Sequence, residues 1–256
     1  MGLLFSLILA FCLVSACSEP FRNDEYEYKE EDTKTIDLSG QTKFTLENTN
    51  GIVHISGSDT STNVHLEITR KVKSHSLEDA QHHIDDIVIT DEARAHDIYV
   101  KVGHPNNGDR DYEVDFVITL PSHFNSEVYC GNGDIELSSI TGYALLILGN
   151  GVIRLDEVTS DEVRGGVGNG SIEADMTPAD SCSISFEVGN GNIALEIPAG
   201  TNAEVEASVG NGNITYSGLS FDNLQYSGAH LEGILGNGEG NILLVVGNGN
   251  IVLRGK

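Results

Sequence analysis

The C-terminal half of the chain alternates apolar and polar residues around a repeated Gly-Asn-Gly phrase. In the copy that runs from Ile184 to Ile197, every second residue is apolar on both sides of the phrase, which is the period of a strand with one buried face. The apolar parity changes between Val188 and Ile193, so the backbone must turn a corner there. Glycine and asparagine reach positive φ at low cost, and we therefore interpret the phrase as a corner between two strand segments.

The phrase recurs along the chain as a structural repeat. An apolar residue lies two positions before each central asparagine, and isoleucine lies three positions after it in six of the seven copies. We predict that the asparagines are turn residues that form a ladder, with side-chain amides bonding from one repeat to the next. The predicted ladder residues are Asn132, Asn150, Asn169, Asn190, Asn211, Asn237 and Asn248.

Two all-β architectures fit this repeat. Asn-Gly between alternating runs is a strong hairpin signal, which would give a meander of antiparallel hairpins. A meander that keeps all its apolar side chains on one face would leave that face exposed. A parallel β-helix, or β-solenoid, with coils of about 20 residues turns the same face inward on every coil and encloses its own core. We favour the solenoid, and the meander remains the alternative.

Residues 121–256 are assigned to the repeat domain, and 242–246 with 251–253 are predicted to form a closing hairpin. Residues 34–120 form an N-terminal β region that caps the solenoid, because raw strand edges would otherwise pair with other chains. This region contains a degenerate repeat around Asn50 and predicted strands at 64–68, 98–100 and 112–118. A short helix is expected over 76–87, with Ser76 as its N-cap.

The start of the chain indicates export. Residues 3–16 are apolar and uncharged, with the length of a signal-peptide core, so 1–16 are predicted to be a signal peptide. The segment that ends at Cys17 resembles a bacterial lipobox, which predicts lipidation of Cys17 and attachment to a membrane. The alternative is an ordinary signal peptide with an incidental Cys17. The acidic residues 17–33 are then a tether.

Charge and cysteine content restrict the function further. The formal net charge of −25 excludes nucleic-acid binding through the net field. Of the four cysteines, Cys130 and Cys182 remain after the signal and anchor are set aside. Both fall on apolar parity, and in the solenoid they lie too many coils apart for a disulfide, so they are predicted to be buried free thiols.

The sequence offers little support for metal or catalytic chemistry. The repeat places isoleucine where a calcium-binding repeat needs aspartate. The histidines and aspartates of the short helix have the spacing of a solvated helix face. An acidic group could serve a polysaccharide-acting β-solenoid enzyme, although charged connections are also expected between turns. We predict no metal, cofactor or catalytic residue, and keep that enzyme as the alternative function. The residues weighed are His75, Asp79, His82, His83 and Asp86 for a metal, and Asp156, Glu157, Asp161, Glu162 and Arg164 for an enzyme.

The repeated Asn-Gly-x-Ile phrase, the early copy at Asn50, the helix-bearing insertion and the two final phrases together resemble a known family. It is the bacterial putative-adhesin domain, a head-GIN-like β-solenoid of envelope lipoproteins, and the likeness runs from about Thr35 to Lys256. The resemblance implies a rigid, non-catalytic module in the bacterial envelope, lipid-anchored at the outer membrane on its periplasmic face or at the cell surface. It implies an adhesin-like scaffold or binding surface for an unidentified protein or glycan, and no site residues.

Overall fold

The computed structural model describes residues 26–106 and 109–256. This part of the chain is nearly all β, as expected, with one short α-helix, α1 (Leu77–His82), and a 3-10 turn at Ile84–Asp86. The predicted signal peptide, Cys17 and the first part of the tether lie outside the described residues. The strands are β1 (Tyr26–Asp37), β2 (Lys43–Asn50), β3 (Val53–Ser58), β4 (Asn63–Ser74), β5 (Val88–Ala93), β6 (Asp97–Gly103), β7 (Asp111–Pro121), β8 (Asn125–Ser138), β9 (Ala144–Val158), β10 (Glu162–Met176), β11 (Ser183–Ile197), β12 (Ala203–Ser217), β13 (Phe221–Tyr226), β14 (His230–Leu235) and β15 (Gly240–Gly255).

Six long strands, each with a Gly-Asn-Gly phrase near its middle, lie side by side in the order β8-β9-β10-β11-β15-β12. Every neighbouring pair in this group is parallel, and the register aligns the central asparagines of adjacent strands. A meander of hairpins requires antiparallel neighbours, so that alternative is wrong for these six strands. We call them the parallel stack.

The corner of each stacked strand is formed by the glycine that follows the asparagine. The φ angles of these glycines lie between 132° and 142°, a range that side chains with a Cβ rarely adopt. The neighbouring backbone is also too close for a side chain: a Cβ on Gly151 would lie 1.6 Å from the carbonyl oxygen of Gly133. Glycine is therefore required both by the backbone conformation and by the contact between strands.

The apolar residues on both sides of the corner face a shared interior. The isoleucines three positions after the asparagine are at most 1% exposed, and fully burying such a side chain stabilises the fold by about 1.5–3 kcal/mol. They belong to one hydrophobic core that also includes Phe44 and Phe116 of the N-terminal region. The buried isoleucines are Ile135, Ile153, Ile172, Ile193, Ile214 and Ile251.

The N-terminal region continues the sheet beyond β8. Strands β2 and β3 meet at a corner formed by Asn50 and Gly51, with β2 parallel to the first half of β8 and β3 parallel to its second half. The two halves then diverge, because β2 continues to β6 and β5 whereas β3 continues to β7, β4 and β1. Ser76 accepts a hydrogen bond from the Asp79 amide, as predicted for the N-cap, but a 3-10 turn replaces the second half of the expected helix.

The predicted closing hairpin is wrong. Residues 240–255 form the single strand β15, which lies inside the stack with β11 on one side and β12 on the other. The phrase around Asn237 instead forms the turn between β14 and β15. There Gly240 replaces the usual isoleucine, and the glycines on either side of Asn237 have φ angles of 56° and 74°, unlike those of the stack corners.

The predicted tether is also wrong over residues 26–33. These residues belong to β1, which pairs antiparallel with β4 along its whole length, from Tyr26 opposite Ser74 to Asp37 opposite Asn63. The acidic composition suits an edge strand, because charged side chains on an edge discourage pairing with other chains. Cross-strand ion pairs offset part of the charge, as between Arg70 and Glu30 at 2.7 Å.

Candidate binding surface

A row of asparagine side chains runs along the outside of the corners. Each amide nitrogen donates to the amide oxygen of the neighbouring asparagine over 2.7–2.9 Å. The row begins at Asn50, whose Nδ2 donates to the carbonyl oxygen of Tyr112. It then passes through Asn132, Asn150, Asn169, Asn190, Asn248 and Asn211.

One predicted ladder residue lies elsewhere. The backbone N–H of Asn237 donates to Oδ1 of Asn202, in a turn outside the asparagine row. Within the row every amide is used for strand-to-strand contact. The arrangement therefore holds the stacked strands in register, and the row itself offers no reactive group.

Both cysteines of the described chain are free and buried. Burial raises the pKa of the Cys130 thiol to about 11, and burial also raises the pKa of the Cys182 thiol. A thiol is nucleophilic only as the thiolate, so neither residue is suited to covalent catalysis near neutral pH. The prediction of buried free thiols is confirmed.

The polar groups of the short helix and its 3-10 turn are engaged with one another, with Arg110 and with Tyr112 of β7. Arg110 Nε lies 2.7 Å from Asp79 Oδ2, and Arg110 NH2 lies 2.8 Å from Asp79 Oδ1. The hydrogen bonds from Arg110 hold the pKa of Asp79 well below its usual range. His83 Nδ1 lies 2.8 Å from Asp86 Oδ2. In the described part of the chain, no three such side chains are grouped so that they could hold a metal ion.

The acidic group considered for catalysis is not brought together in one cleft. Glu162 forms an ion pair with Arg164 at 2.9 Å on the first half of β10. Asp156 instead lies on the second half of β9, in a depression of about 400 Å³ that also contains His54, Glu136 and Arg154. We call this depression the Arg154 site.

Polar contacts between side chains occupy the Arg154 site. His54 Nδ1 lies 2.7 Å from Glu136 Oε2, and Arg154 NH1 lies 3.3 Å from Glu136 Oε1. The same guanidinium nitrogen is 3.0 Å from Asp134 Oδ2. These contacts connect neighbouring strands on their outer face. Among the described residues, no ion pair includes Asp156, the remaining carboxylate of the site.

A second, larger depression lies on the other side of the asparagine row, and we call it the Tyr129 groove. Its volume is about 440 Å³. Four outward side chains from four adjacent strands form a line across it, because the register places Lys101 of β6, Glu47 of β2, Tyr129 of β8 and Ile147 of β9 side by side. The depression is also lined by Asn48, Thr49, Val102, Cys130 and Gly131, of which Asn48, Val102 and Cys130 are buried.

One wall of the Tyr129 groove carries a positive and a negative charge that balance each other. Lys101 Nζ lies 2.8 Å from Glu47 Oε2. Hydrogen bonds from Lys101 and Tyr99 lower the pKa of Glu47. The same hydrogen bonds raise the pKa of Tyr99 and the pKa of Lys101. The Arg94 guanidinium lies 3.9 Å above the centre of the Tyr99 ring, which fixes that ring beside the wall.

The opposite wall is apolar and accessible. Tyr129 is 37% exposed and Ile147 is 41% exposed, and both lie on the outer face of the strands. The sequence carries a signal for part of this wall. Strand β9 begins with an unbroken apolar run, Ala144 to Leu148, so alternation places two apolar residues, Leu145 and Ile147, on its outer face.

Beneath the groove, on the inner side of β2, the buried Asn48 has an unmet hydrogen-bonding capacity. Asn48 is only 7% exposed, and its Nδ2 donates to the carbonyl oxygen of Val114 over 2.8 Å. Its Oδ1 is buried and has no hydrogen-bond partner among the residues that the structure describes. A buried acceptor without a donor costs free energy, on the order of 1–3 kcal/mol.

One solved structure among the comparisons with known proteins supports the fold. No family model matches the chain, and no curated protein matches it. A crystal structure of a putative cell adhesion protein from Clostridium sporogenes is 18% identical, covers 90% of this chain and 100% of its own, and superposes with a TM-score of 0.53. A putative adhesin from Bacteroides fragilis, at 10% identity, covers 88% of this chain and 97% of its own, with a TM-score of 0.28.

The first of these two structures shows that the chain shares its overall fold with a protein described as a cell adhesion protein. Among residues 26–106 and 109–256, no helix has the length and apolar character needed to cross a membrane.

Proposed function

We propose that this protein is a non-catalytic, adhesin-like envelope lipoprotein whose parallel stack is a β-solenoid that presents a binding surface. The observation that carries the proposal is the Tyr129 groove, where an exposed aromatic and an exposed aliphatic side chain lie beside an ion pair. Isolated exposed apolar residues are ordinary, but apolar groups gathered in a depression with a few polar groups are typical of binding sites.

The scaffold supports such a role because it fixes the site. The groove side chains come from the middle of strands that pair on both sides, and the asparagine row ties the same strands together next to the groove. A preorganised surface loses little conformational entropy on binding, which favours affinity. The solenoid is thus a rigid support for the outward residues of neighbouring strands.

The chemistry of the groove favours binding over catalysis. Its carboxylate, Glu47, has a lowered pKa because Lys101 and Tyr99 donate to it, so it is a poor proton donor at neutral pH. Its thiol, Cys130, has a pKa of about 11 and is a poor nucleophile. These two groups therefore favour a surface that holds a ligand without changing it.

Binding is tested on bacteria that display the full-length protein. Replacing both apolar wall residues, Tyr129→Ser with Ile147→Ser, is expected to abolish adhesion of the cells to immobilised target cells or matrix. The matched control is Val117→Ser, because Val117 is also an exposed apolar residue, at 46%, but lies on β7 away from the groove. Equal adhesion by all three strains would exclude the groove as the binding surface.

The anchor is tested separately. Labelling cells with radioactive palmitate should mark the wild-type protein and leave the Cys17→Ala variant unlabelled. Protease treatment of intact cells then distinguishes surface display from the periplasmic face. A wild-type protein that takes up no label would remove the lipid anchor while leaving the binding proposal in place.

A polysaccharide-acting enzyme is the second candidate, and the Arg154 site is the observation in its favour. Glu136 and Asp156 lie on adjacent strands and line the same depression, as paired acid and base carboxylates must. The test is release of reducing ends from a polysaccharide panel by the wild-type protein and by Glu136→Gln and Asp156→Asn variants. Turnover that both variants abolish would favour the enzyme and contradict the non-catalytic proposal.

A further inference from the structure

We infer that the ligand of the Tyr129 groove is a neutral oligosaccharide, with one sugar ring lying against Tyr129 and its hydroxyl groups directed towards Glu47 and Lys101. This inference builds on the proposed binding function and names the class of ligand. Three features of the groove point to it, namely the apolar wall, the arrangement of donors and acceptors, and the balance of charge.

The apolar wall fits a sugar ring. One face of many pyranose rings carries mainly C–H groups, and an aromatic ring offers a flat surface with negative charge on its face. Tyr129 provides such a surface, and the register of β8 with β9 places Ile147 directly beside it. The two side chains thus form a platform across two adjacent strands, which lie about 4.8 Å apart.

The opposite wall fits hydroxyl groups. Each hydroxyl can donate and accept, so a sugar requires both kinds of partner close together. Glu47 accepts and Lys101 donates, and the two groups lie 2.8 Å apart on the outer face.

Charge disfavours the ionic alternatives. The chain has a formal net charge of −25, which repels acidic polysaccharides and acidic peptides. The ammonium of Lys101 is paired with the carboxylate of Glu47, so the groove presents no uncompensated charge to attract an ion of either sign. A neutral ligand rich in hydroxyl groups is not repelled by the net charge and needs no uncompensated charge in the groove.

The experiment uses the full-length protein in detergent on an array of neutral and acidic oligosaccharides, followed by NMR titration with the neutral oligosaccharide bound best. We expect neutral glycans to be bound. Tyr129→Ala should weaken binding by about tenfold or more, whereas Tyr129→Phe, which keeps the ring, should stay within about threefold. Lys101→Met should also weaken binding, and Val117→Ala should have no effect. Circular dichroism of each variant separates loss of binding from loss of fold.

The outcomes distinguish this inference from the proposed function. Binding that is confined to acidic glycans, or that is unchanged in Tyr129→Ala, would overturn the saccharide assignment. If no glycan binds but adhesion of displaying cells still depends on Tyr129 and Ile147, the ligand is a protein, and the saccharide inference fails while the binding function stands. If adhesion is also independent of these residues, both fail.

Discussion

At each corner of the stack, the glycine after the asparagine brings its Cα against a carbonyl oxygen of the neighbouring strand. A Cβ on Gly170 would lie 1.8 Å from the carbonyl oxygen of Gly151, well inside the contact distance of the two atoms. The obstacle is backbone that is itself held by two neighbours, so it cannot move aside. The requirement for glycine at this position therefore arises from the packing between strands as much as from φ.

Gly170→Ala is accordingly expected to destabilise the protein by about 3 kcal/mol or more, because it adds a backbone clash to an unfavourable φ. The measurement is the midpoint of urea unfolding followed by circular dichroism. The matched control is Gly200→Ala, since nothing lies within 4 Å of a Cβ at Gly200 and its φ is not in the left-handed region. Similar losses in the two variants would contradict the packing argument.

Because of the asparagine row, the stability of the fold should be sensitive to replacing a single asparagine by aspartate. Asn150 donates to Oδ1 of Asn132 and accepts from Nδ2 of Asn169. In Asn150→Asp the first bond is replaced by a contact between two oxygens, which should cost about 1–3 kcal/mol. Asn237→Asp is the control, because Asn237 lies outside the row. Thermal unfolding of the two variants at pH 7 should therefore differ, and equal midpoints would show that the row contributes nothing to stability.

The raised pKa of Cys130 predicts a loss of stability at high pH. The folded thiol titrates near 11 because of burial, whereas the unfolded thiol titrates near 9. The contribution of this thiol to the free energy of unfolding is fully present below pH 9 and is lost as the pH rises towards 11. A Cys130→Ala variant should lose less stability than the wild type between these pH values, measured by urea unfolding. Equal pH slopes would mean that the thiol is accessible to water.

At the scale of single residues, the sequence predicts the corners well and the outward surface poorly. The six corners and their buried isoleucines follow from a local rule, the alternation of apolar residues broken at Gly-Asn-Gly. Asn237 has the same three residues but lacks the isoleucine at position 240, and that difference marks it as an ordinary turn. The Tyr129 groove depends on which strands are neighbours, and sequence spacing does not contain that information.

Among the elements, β15 shows why strand order was not predictable. Its short distance from the preceding phrase suggested a hairpin, yet the register places it between β11 and β12. The local sequence is the same for a strand at the end of the stack and a strand inside it, because both bury the same face. Similarly, the acidic sequence of residues 26–33 predicts a tether although these residues form part of β1, because the same charges suit a flexible segment and an edge strand.

The internal position of β15 predicts slow hydrogen exchange at the end of the chain. Its backbone N–H and C=O groups pair alternately with β11 on one side and β12 on the other, so opening β15 requires separating two strand interfaces. The backbone amides of 242–253 should exchange as slowly as those of β10, and those of the edge strands β5 and β13 much faster. Mass spectrometry after pulse labelling measures this difference. Fast exchange over 242–253 would indicate that the segment is a terminal hairpin after all.

At the scale of the whole molecule, charge repulsion opposes the folded state. The formal net charge is −25, and the register also places carboxylates directly opposite each other, with Asp175 facing Glu196 and Glu206 facing Glu232. Ion pairs such as that between Lys71 and Glu113 act in the other direction, but acidic residues outnumber basic ones by 39 to 14. The repulsive contribution should therefore exceed the attractive one.

Added salt should accordingly stabilise this protein, because screening shortens the range of repulsion from about 30 Å at 0.01 M to about 3 Å at 1 M salt. The melting temperature measured by scanning calorimetry should rise by a few degrees between these concentrations. Glu206→Lys should raise it at low salt, since replacing a like-charge cross-strand pair by an opposite one is worth roughly 0.2–1 kcal/mol, and should reduce the effect of added salt. Glu204→Lys makes the same change of net charge at an exposed position of the same strand that faces Ile234, and so separates the local pair from the change in net charge. A melting temperature that falls with salt would mean that the ion pairs of the outer faces, including the wall of the Tyr129 groove, dominate the electrostatics of the fold.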